Sequence, residues 1–345
     1  MAERVVVTGS TGMLGGNLTR FLADNGYDVL GVDLRPPSPA SRTPYRIADV
    51  RDTETLTGLF AGADAVVHCA SALPSYPAEV IRDVIVRGAR GVLTASQRAG
   101  VGRIVHISST AVYGLPRIVP TPEDHPREPV DTYGRAKTEA EELAEKVRAD
   151  GTCVTIVRPK TFLGPGRMGL FAMLFEWAEE GRNFPVLGSG NARIQMLAIE
   201  DLVTAIATVL SAPADVANDT YNIAAAEFGT LRADFQAVLD LAGHGRRVVS
   251  LPQRPALATL RLLERARLSP VYGRLLHKLL ADSYVSVEKA RDRLGFWPEM
   301  SNVDAITRTY AWWRDSHLAA VPHRNGNTSR DAWRQGALSL AKILF

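Results

Sequence analysis

The first 160 residues alternate short apolar runs with longer segments in which apolar residues recur at helical spacing. The apolar runs predict strands over residues 5–8, 28–32, 46–48, 65–69, 103–107 and 152–157. The helical patterns predict helices over residues 13–25, 53–60, 81–99 and 131–150. This alternation is typical of an α/β fold in which a doubly wound parallel sheet carries helices on both faces.

After Arg158-Pro159 the alternation becomes less regular. The remaining pattern predicts a short strand at 221–223 that returns to the main sheet, a strand over 195–199, and helices over 170–180, 201–210, 287–294 and 303–313. We therefore expect a nucleotide-binding domain over residues 1–158, a smaller C-terminal substrate lobe over 159–318 with segments returning to the sheet, and a tail over 319–345. The amphipathic segment 333–345 suits a helix docked on protein or, alternatively, a contact with a membrane surface.

Composition narrows the class of protein. The 345 residues, 46% hydrophobic and 22% charged, suit a globular enzyme-sized chain, and the net charge of +3 does not indicate a nucleic-acid partner. No apolar run approaches the ~20 residues of a transmembrane span, and the first segment reads as a strand rather than a signal peptide. We expect a cytoplasmic location with Cys69 and Cys153 as buried, reduced thiols rather than a disulfide. The seven histidines lack metal-ligand spacing, and no metal is predicted.

A glycine-rich turn follows the first strand and precedes the first helix. Gly9, Gly12 and Gly15 form the pattern G-x-x-G-x-x-G. Such glycines could serve helix packing alone, but at this position they favour a turn whose backbone N–H groups hold a pyrophosphate. Thr11, Met13 and Leu14 would line that cradle through their backbone. The motif indicates a Rossmann-type dinucleotide-binding domain.

Asp33 ends the second predicted strand, about 20 residues beyond the glycines. A carboxylate there accepts hydrogen bonds from both ribose hydroxyls of an adenosine and repels a 2′-phosphate. The sequence therefore favours NAD over NADP. Arg35 leaves NADP open, because a guanidinium could hold a 2′-phosphate.

Tyr133 and Lys137 lie four residues apart in a predicted helix and share one helical face. An exposed pair with this spacing is common and can be structural. A phenol with a pKa near 10 is a poor base at neutral pH, but a neighbouring ammonium lowers its pKa. After a dinucleotide cradle, the pair indicates hydride chemistry on a carbinol.

These motifs resemble the extended short-chain dehydrogenase/reductases, specifically the NAD-dependent epimerase/dehydratase group, over about residues 4–313. The resemblance is carried by the glycine turn, Asp33, Asp49-Val50, His68-Cys69-Ala70-Ser71, the stretch from Ile107 to Gly114, Tyr133-x-x-x-Lys137, Arg158-Pro159, Gly164-Pro165-Gly166 and the segment 286–298.

The resemblance implies roles for further residues. The catalytic residues would be Ser109, Tyr133 and Lys137. Tyr133 would remove the hydroxyl proton, Lys137 would also hold the nicotinamide ribose, and Ser109 would orient the reacting oxygen. Ser108 would be structural. The cofactor would also be contacted by Asp49, Val50, Cys69, Ala70, Ser71 and Pro159. Substrate contacts would come from Thr161, Arg193 and His277. A homodimer formed through the helices over 81–99 and 131–150 is expected.

Several positions depart from the family pattern. Thr110 and Ala111 stand where the sugar dehydratases and decarboxylases of the family carry an acid, which disfavours those reactions. Ile85 replaces the usual Asn. No arginine occurs at the diphosphate-gripping position within residues 275–278; Arg193 is the alternative diphosphate ligand, and His277, Lys278 and Arg274 are substitutes. The apolar stretch 257–280 would suit a hydrophobic substrate.

Three functions therefore stay open. The first is an NAD-dependent nucleotide-sugar epimerase that oxidises a sugar carbinol transiently. The second is a net dehydrogenase or reductase of a 3β-hydroxysteroid-like or other secondary alcohol. The third is a catalytically silent dinucleotide-binding protein, which the intact Ser109, Tyr133 and Lys137 argue against.

Overall fold

The computed structural model describes residues 3–37, 41, 43–166, 169–255, 258 and 280–318. The chain forms two compact units. The first comprises Met1–Lys160, Ile199–Ala224 and Val285–Pro298, and the second comprises Thr161–Ala198, Ala225–Tyr284 and the residues from Glu299 onward, as far as they are described. His277 and the tail segment 333–345 lie outside the described residues.

A seven-stranded parallel sheet forms the centre of the first unit. Its strands are β1 (Arg4–Thr8), β2 (Asp28–Asp33), β3 (Tyr45–Ile47), β4 (Ala65–His68), β5 (Arg103–Ile107), β6 (Cys153–Pro159) and β10 (Thr220–Ile223). They lie in the order β10-β6-β5-β4-β1-β2-β3. The predicted doubly wound α/β fold is confirmed. The predicted return of residues 221–223 to this sheet is confirmed as well, because β10 pairs with β6.

Helices enclose this sheet. They are α1 (Met13–Asp24), α2 (Thr53–Phe60), α3 (Ala78–Arg82), α4 (Gly88–Arg98), α5 (Thr132–Ala149), α7 (Ile199–Ser211), α8 (Ala214–Ala217) and α10 (Glu288–Leu294), with a π-helical turn at Asp83–Arg87 and a 3-10 turn at Thr110–Tyr113. The central strands are buried on both sides, which explains their continuous rather than alternating apolar character. Val6 and Val66 pack against Leu56, Phe60 and Val92 of α2 and α4.

The strand register aligns side chains at the carboxyl ends of the central strands. Thr8 of β1 pairs with His68 of β4, and His68 pairs with His106 of β5. Residues in register on neighbouring strands project to the same face of a sheet. The register therefore places three polar side chains in one buried row next to the glycine turn.

The second unit contains α6 (Gly169–Glu179), α9 (Leu231–Ala242) and α11 (Asn302–Leu318), together with the two-stranded sheets of β7 (Phe162–Leu163) with β9 (Leu197–Ala198) and of β8 (Phe184–Leu187) with β11 (Val248–Leu251). Its core is aromatic, with Phe175 against Tyr310 and Trp313. The predicted strand over 195–199 is shorter than expected. The elements α9, β8 and β11 were not predicted.

None of the helices in the described ranges combines the length and apolar character that crossing a bilayer requires. In the same ranges, no three or more His, Cys, Asp or Glu side chains come together in a way that could hold a metal ion.

Candidate active site

The glycine turn begins where β1 ends. Gly9 adopts a positive φ of 70° and donates its N–H to the Val32 carbonyl of β2 at 2.8 Å. A Cβ at Gly9 would lie 2.6 Å from the backbone nitrogen of Ala70. Only glycine suits both the conformation and this close approach. Ala70, which follows β4, thereby forms one wall of the turn.

Helix α1 starts immediately after the turn, with Gly12 as its N-cap residue. A Cβ at Gly15 would overlap the Gly9 carbonyl oxygen and lie 2.7 Å from the Gly9 carbonyl carbon, so the first helical turn packs directly on the loop. The first turn carries no acidic side chain that would compete for the helix N-terminus. The N–H groups of the first helical turn have no partner within the helix, and together with the helix dipole they suit a pyrophosphate here.

A buried polar atom supports this assignment. The Oγ1 of Thr11 is inaccessible to solvent and has no hydrogen-bond partner among the described residues. An unsatisfied buried hydroxyl is unfavourable unless a ligand or water completes it. The turn therefore fits a dinucleotide in both its shape and its hydrogen-bonding capacity.

Asp33 is fixed against the same turn. Its Oδ2 accepts a hydrogen bond from the Thr11 backbone N–H at 3.0 Å, and its Oδ1 accepts from the Arg35 backbone N–H at 3.2 Å. The carboxylate therefore stands at the end of β2 in an orientation set by backbone groups. The Arg35 side chain is exposed.

We expect NAD to bind at least about tenfold more tightly than NADP, a difference of about 1.4 kcal/mol, because the Asp33 carboxylate would face the 2′-phosphate. Fluorescence titration of both cofactors measures this ratio. Asp33→Asn should shrink the ratio, whereas Arg35→Leu should leave it unchanged or enlarge it. An NADP preference in the unaltered protein would mean that Arg35 dominates and that the role given to Asp33 is wrong.

Asp49 and Val50 follow β3, where the resemblance predicts contacts to the adenine. Hydrogen bonds from Arg51 hold the pKa of Asp49 below its usual value. Arg51 also pairs with Asp83, at the start of the π-helical turn. Val50 packs so closely that a Cβ at Gly88 would lie 2.8 Å from its Cγ2. Asp49 is thus an ionised, anchored acceptor.

The residues after β4 continue this side of the site. Cys69 donates its backbone N–H to the Thr8 carbonyl at 3.1 Å, and Ser71 donates its hydroxyl to the Ala72 carbonyl at 3.3 Å. Burial raises the pKa of the Cys69 thiol to about 12, which keeps the thiol protonated. Both cysteines are free thiols, but each is half-buried rather than buried as predicted, because each lies at the end of a strand.

Tyr133 and Lys137 lie in the first two turns of α5. Asp131 caps this helix by accepting a hydrogen bond from the Gly134 N–H at 2.7 Å. The Lys137 Nζ donates to the Ile107 carbonyl of β5 at 2.9 Å and lies 5.9 Å from the centre of the Tyr133 ring. The ammonium is therefore held between the end of the sheet and the phenol.

Burial sets the electrostatics of Lys137. Its side chain is almost completely buried, and this desolvation lowers its pKa to about 8, while the Glu141 carboxylate acts in the opposite direction. At neutral pH the amine is still mostly protonated. A cation in this position stabilises a phenolate on Tyr133.

Ser109 caps the 3-10 turn that follows β5, accepting a hydrogen bond from the Ala111 N–H at 3.2 Å. This turn touches α5, because a Cβ at Gly134 would lie 2.7 Å from the Ala111 carbonyl oxygen. Together with the bond from Lys137 to Ile107, this contact places Ser109 beside the amino-terminal turn of α5. The three predicted catalytic residues are thus carried by adjoining backbone segments.

Pro159 ends β6, and its carbonyl accepts a hydrogen bond from the Thr110 hydroxyl at 3.4 Å. Ser108 is buried, and its Oγ has no hydrogen-bond partner in the described part of the chain. The neighbouring positions 110 and 111 carry no carboxyl group.

Two buried histidines lie near Lys137 and were not predicted as part of the site. His68 shares a 2.7 Å hydrogen bond between its Nδ1 and the Thr8 hydroxyl, and its ring centre is 5.5 Å from that of His106. Burial and, next, the charge of Lys137 lower the pKa of His106 to about 3, and burial lowers that of His68 as well. Both rings are therefore neutral at physiological pH.

The candidate substrate residues Arg193 and Thr161 belong to the second unit. The Arg193 guanidinium lies 4.8 Å from the ring centre of Phe228 and 5.0 Å from that of Tyr284. Its backbone N–H donates to Asp282 at 2.9 Å. An exposed cation is thus held on two aromatic rings. Thr161 is exposed. His277 lies outside the described residues, and no contact can be assigned to it.

Comparison with known sequences places this site in context. The sequence model of the NAD dependent epimerase/dehydratase family matches residues 5–224. An uncharacterized protein of Sinorhizobium fredii is 31% identical over 350 residues, covering 99% of this chain and 86% of its own length.

Two relatives with named activities differ in their chemistry. The N-acetyl-alpha-D-glucosaminyl-diphospho-ditrans,octacis-undecaprenol 4-epimerase of Escherichia coli O157:H7 is 32% identical over 209 residues, which are 59% of this chain and 62% of that protein. The 3 beta-hydroxysteroid dehydrogenase/Delta 5-->4-isomerase of Mycobacterium tuberculosis is 26% identical over 331 residues, covering 88% of each.

Among solved structures, the UDP-glucose 4-epimerase of Thermotoga maritima with UDP-glucose is similar, with a TM-score of 0.74 and 21% identity over 91% of this chain and 99% of that one. At this level of identity, the likeness supports the fold of the chain.

Proposed function

This chain belongs to the NAD-dependent epimerase/dehydratase family, and we propose that within it the chain is an epimerase of a diphosphate-linked sugar. It is an NAD-dependent enzyme of the extended short-chain dehydrogenase/reductase type, as the resemblance predicted. Oxidation and reduction of a carbinol are supported by Lys137, whose Nζ lies 5.9 Å from the centre of the Tyr133 ring, and by the contact of α5 with the turn that carries Ser109. The observation that carries the choice of epimerisation is the exposed Arg193 cation, together with the absence of an acid at positions 110 and 111.

Tyr133 is the proposed general base. It removes the proton from the sugar hydroxyl and returns a proton to the same oxygen at the end of the cycle. Lys137 stabilises the phenolate through its charge, and Ser109 donates a hydrogen bond to the reacting oxygen. Thr110 and Ala111 offer no acid for eliminating water, which favours epimerisation over dehydration.

The glycine turn over residues 9–12 would bring the cofactor's pyrophosphate against the first N–H groups of α1, at residues 13–15, which have no partner within the helix. Asp33 would hold the adenosine ribose and Lys137 the nicotinamide ribose. When bound, NAD supplies the hydride acceptor and donor. The chain's own contribution is to orient the sugar and to move the hydroxyl proton.

A diphosphate-linked sugar is the proposed substrate class, and a nucleotide sugar is its commonest soluble form. The support is the exposed Arg193 cation, fixed on Phe228 and Tyr284, which offers charge-assisted hydrogen bonds to a phosphate. The name of the Escherichia coli relative points to the same chemistry, a sugar joined to a carrier through a diphosphate.

A net dehydrogenase of a 3β-hydroxysteroid-like alcohol is the second candidate. It is favoured by the Mycobacterium tuberculosis relative, by the apolar sequence over 257–280 and by the missing arginine within 275–278. It would use the same Tyr133 and Lys137 chemistry.

Cofactor retention distinguishes the two functions, because an epimerase returns the hydride to its own substrate whereas a dehydrogenase exchanges cofactor in every cycle. We expect the dialysed enzyme to interconvert UDP- or dTDP-hexoses, or an undecaprenyl-diphosphate-linked hexosamine, at constant absorbance near 340 nm without added NAD. The products are identified by chromatography and mass spectrometry.

Stoichiometric NADH formed only with a 3β-hydroxysteroid or another alcohol plus NAD would contradict epimerisation and support the second candidate. Arg193→Ala serves as the substrate-side variant and should raise KM for the sugar while leaving NAD retention unchanged. Arg246→Ala removes an exposed arginine from the same unit and is the matched control.

We also propose a homodimer formed through α3, α4 and α5. Arg82 of α3 and Glu139 of α5 form a surface ion pair at 3.2 Å, which links these two helices. The dimer otherwise rests on the family resemblance.

A further inference from the structure

A fully buried carboxylate lies one helical turn beyond Lys137. Glu141 shares a face of α5 with Tyr133 and Lys137, and its side chain has no solvent exposure. Its two oxygens accept hydrogen bonds from Arg158 of β6, from Nε at 2.9 Å and from Nη2 at 2.7 Å. Arg127 adds a third bond at 3.1 Å.

Arg158 connects this carboxylate to the turn that carries Ser109. Its Nη1 donates to the Tyr113 hydroxyl and to the Glu123 carbonyl, each at 2.8 Å. Tyr113 ends the 3-10 turn and donates its own hydroxyl to Asn222 of β10 at 2.8 Å. One buried guanidinium thus links α5, β6, β10 and the Ser109 turn.

The charge of Glu141 matters because Lys137 has few other anions. The titratable groups that influence or adjoin Lys137 are Tyr133, His68, His106, Cys69 and Glu141. Burial keeps both histidines neutral and the thiol protonated. Among these groups in the described structure, the Glu141 carboxylate has the largest effect that opposes the desolvation of Lys137 and raises the pKa of the amine.

We propose that Glu141 is a positioning residue that keeps Lys137 charged, and that Arg158 holds the Glu141 carboxylate in place while fixing the Ser109 turn relative to α5. The two hydrogen bonds from the Arg158 guanidinium compensate for the burial of the carboxylate, and removing one partner would leave the other charge buried and unpaired. The inference rests on the proposed function only in that Lys137 acts as the cation beside Tyr133.

The protonation of Lys137 can be measured directly. The chain has six lysines, at positions 137, 146, 160, 278, 289 and 342. In full-length protein labelled with ¹³C-lysine, the NMR signal of the Lys137 side chain is assigned by its loss in Lys137→Met. The chemical shift of this signal is then followed between pH 6 and 11, and the pH at the middle of the change is the titration midpoint of Lys137.

We expect Glu141→Gln to lower the Lys137 midpoint by at least about one pH unit, since the lost anion no longer offsets burial. As the pH is raised, this variant should therefore lose NAD affinity at a lower pH than the unaltered protein does. The matched control is Glu139→Gln, which makes the same charge change two residues from Lys137 in a half-exposed ion pair and should move the midpoint by less than about 0.3 unit.

The double variant Glu141→Leu/Arg158→Met separates charge from packing. The double variant replaces the buried pair by apolar side chains, a change that proteins often tolerate. The double variant should fold, and its Lys137 titration midpoint should be lowered as in Glu141→Gln. It therefore serves as the measurement if Glu141→Gln does not fold. A midpoint unchanged in a folded Glu141 variant would overturn the proposal. Because no substrate is needed, this outcome is independent of whether the sugar reaction is found.

Discussion

Tyr133→Phe is expected to lower kcat by about three orders of magnitude, the scale of general acid–base catalysis, while NAD affinity stays within about twofold. The change deletes one oxygen from a side chain that packs against the buried cluster containing Ile85 and Ala136, and the ring should remain in place. The effect falls on kcat because the oxygen acts in proton transfer rather than in cofactor binding.

Turnover is measured with whichever substrate the retention experiment identifies, and NAD binding is measured by fluorescence titration. Tyr27→Phe is the matched control, since it removes a hydroxyl that bonds Ser211 at the surface of the same unit. Activity above a few per cent of the original in Tyr133→Phe would mean that another group serves as the base.

Gly15→Ala is expected to weaken NAD binding by at least about 30-fold, corresponding to about 2 kcal/mol of overpacking. The added Cβ overlaps the Gly9 carbonyl oxygen, and backbone cannot move aside as the end of a flexible side chain can. Relief requires α1 to separate from the glycine turn, which removes the N–H groups from the pyrophosphate.

Gly58→Ala provides the control for helix propensity, because a Cβ at this exposed α2 position meets no atom within 4 Å. It should be neutral or stabilising by up to about 1 kcal/mol. Thermal melting with and without NAD reports both effects. Unchanged NAD affinity in Gly15→Ala would exclude the glycine turn as the pyrophosphate site.

The strand–helix alternation and the glycine motif were predictable because their signals are local. Val5–Val7 and the apolar cores of the next strands are buried on both faces, and such strands read as continuous apolar runs. The grouping of Ser109 with Tyr133 and Lys137 has no local signal of this kind and was expected from the family resemblance alone. In the structure Lys137 extends from α5 to the Ile107 carbonyl at the end of β5.

Less of the second unit was predictable. β8 contains Pro185 and spans only four residues, and β11 is equally short, which leaves little periodic signal for either.

The helix over 81–99 was predicted as continuous, but it contains a π-helical turn at Asp83–Arg87. A single inserted turn hardly disturbs a pattern of 3.6 residues and leaves no mark in the sequence.

The buried network around Lys137 was missed for a different reason. Glu141 and Arg158 lie 17 residues apart, in α5 and β6, and their pairing depends on how these two elements pack. A buried ion pair has no local pattern. The spacing Tyr133, Lys137 and Glu141 on one helix face was the available signal, since a glutamate on an otherwise buried face requires a partner.

The discontinuous make-up of the first unit has a consequence for its biosynthesis. β6 is an interior strand because β10 covers its edge, but Thr220 leaves the ribosome 61 residues after Pro159. At about 5–20 residues per second, the nascent β6 waits roughly 3–12 s with an open edge, a template for pairing with other chains. A fragment cut near residue 160 keeps every cofactor motif in its sequence but retains that open edge permanently. Such a fragment is therefore a poor substitute for the intact chain in cofactor-binding work.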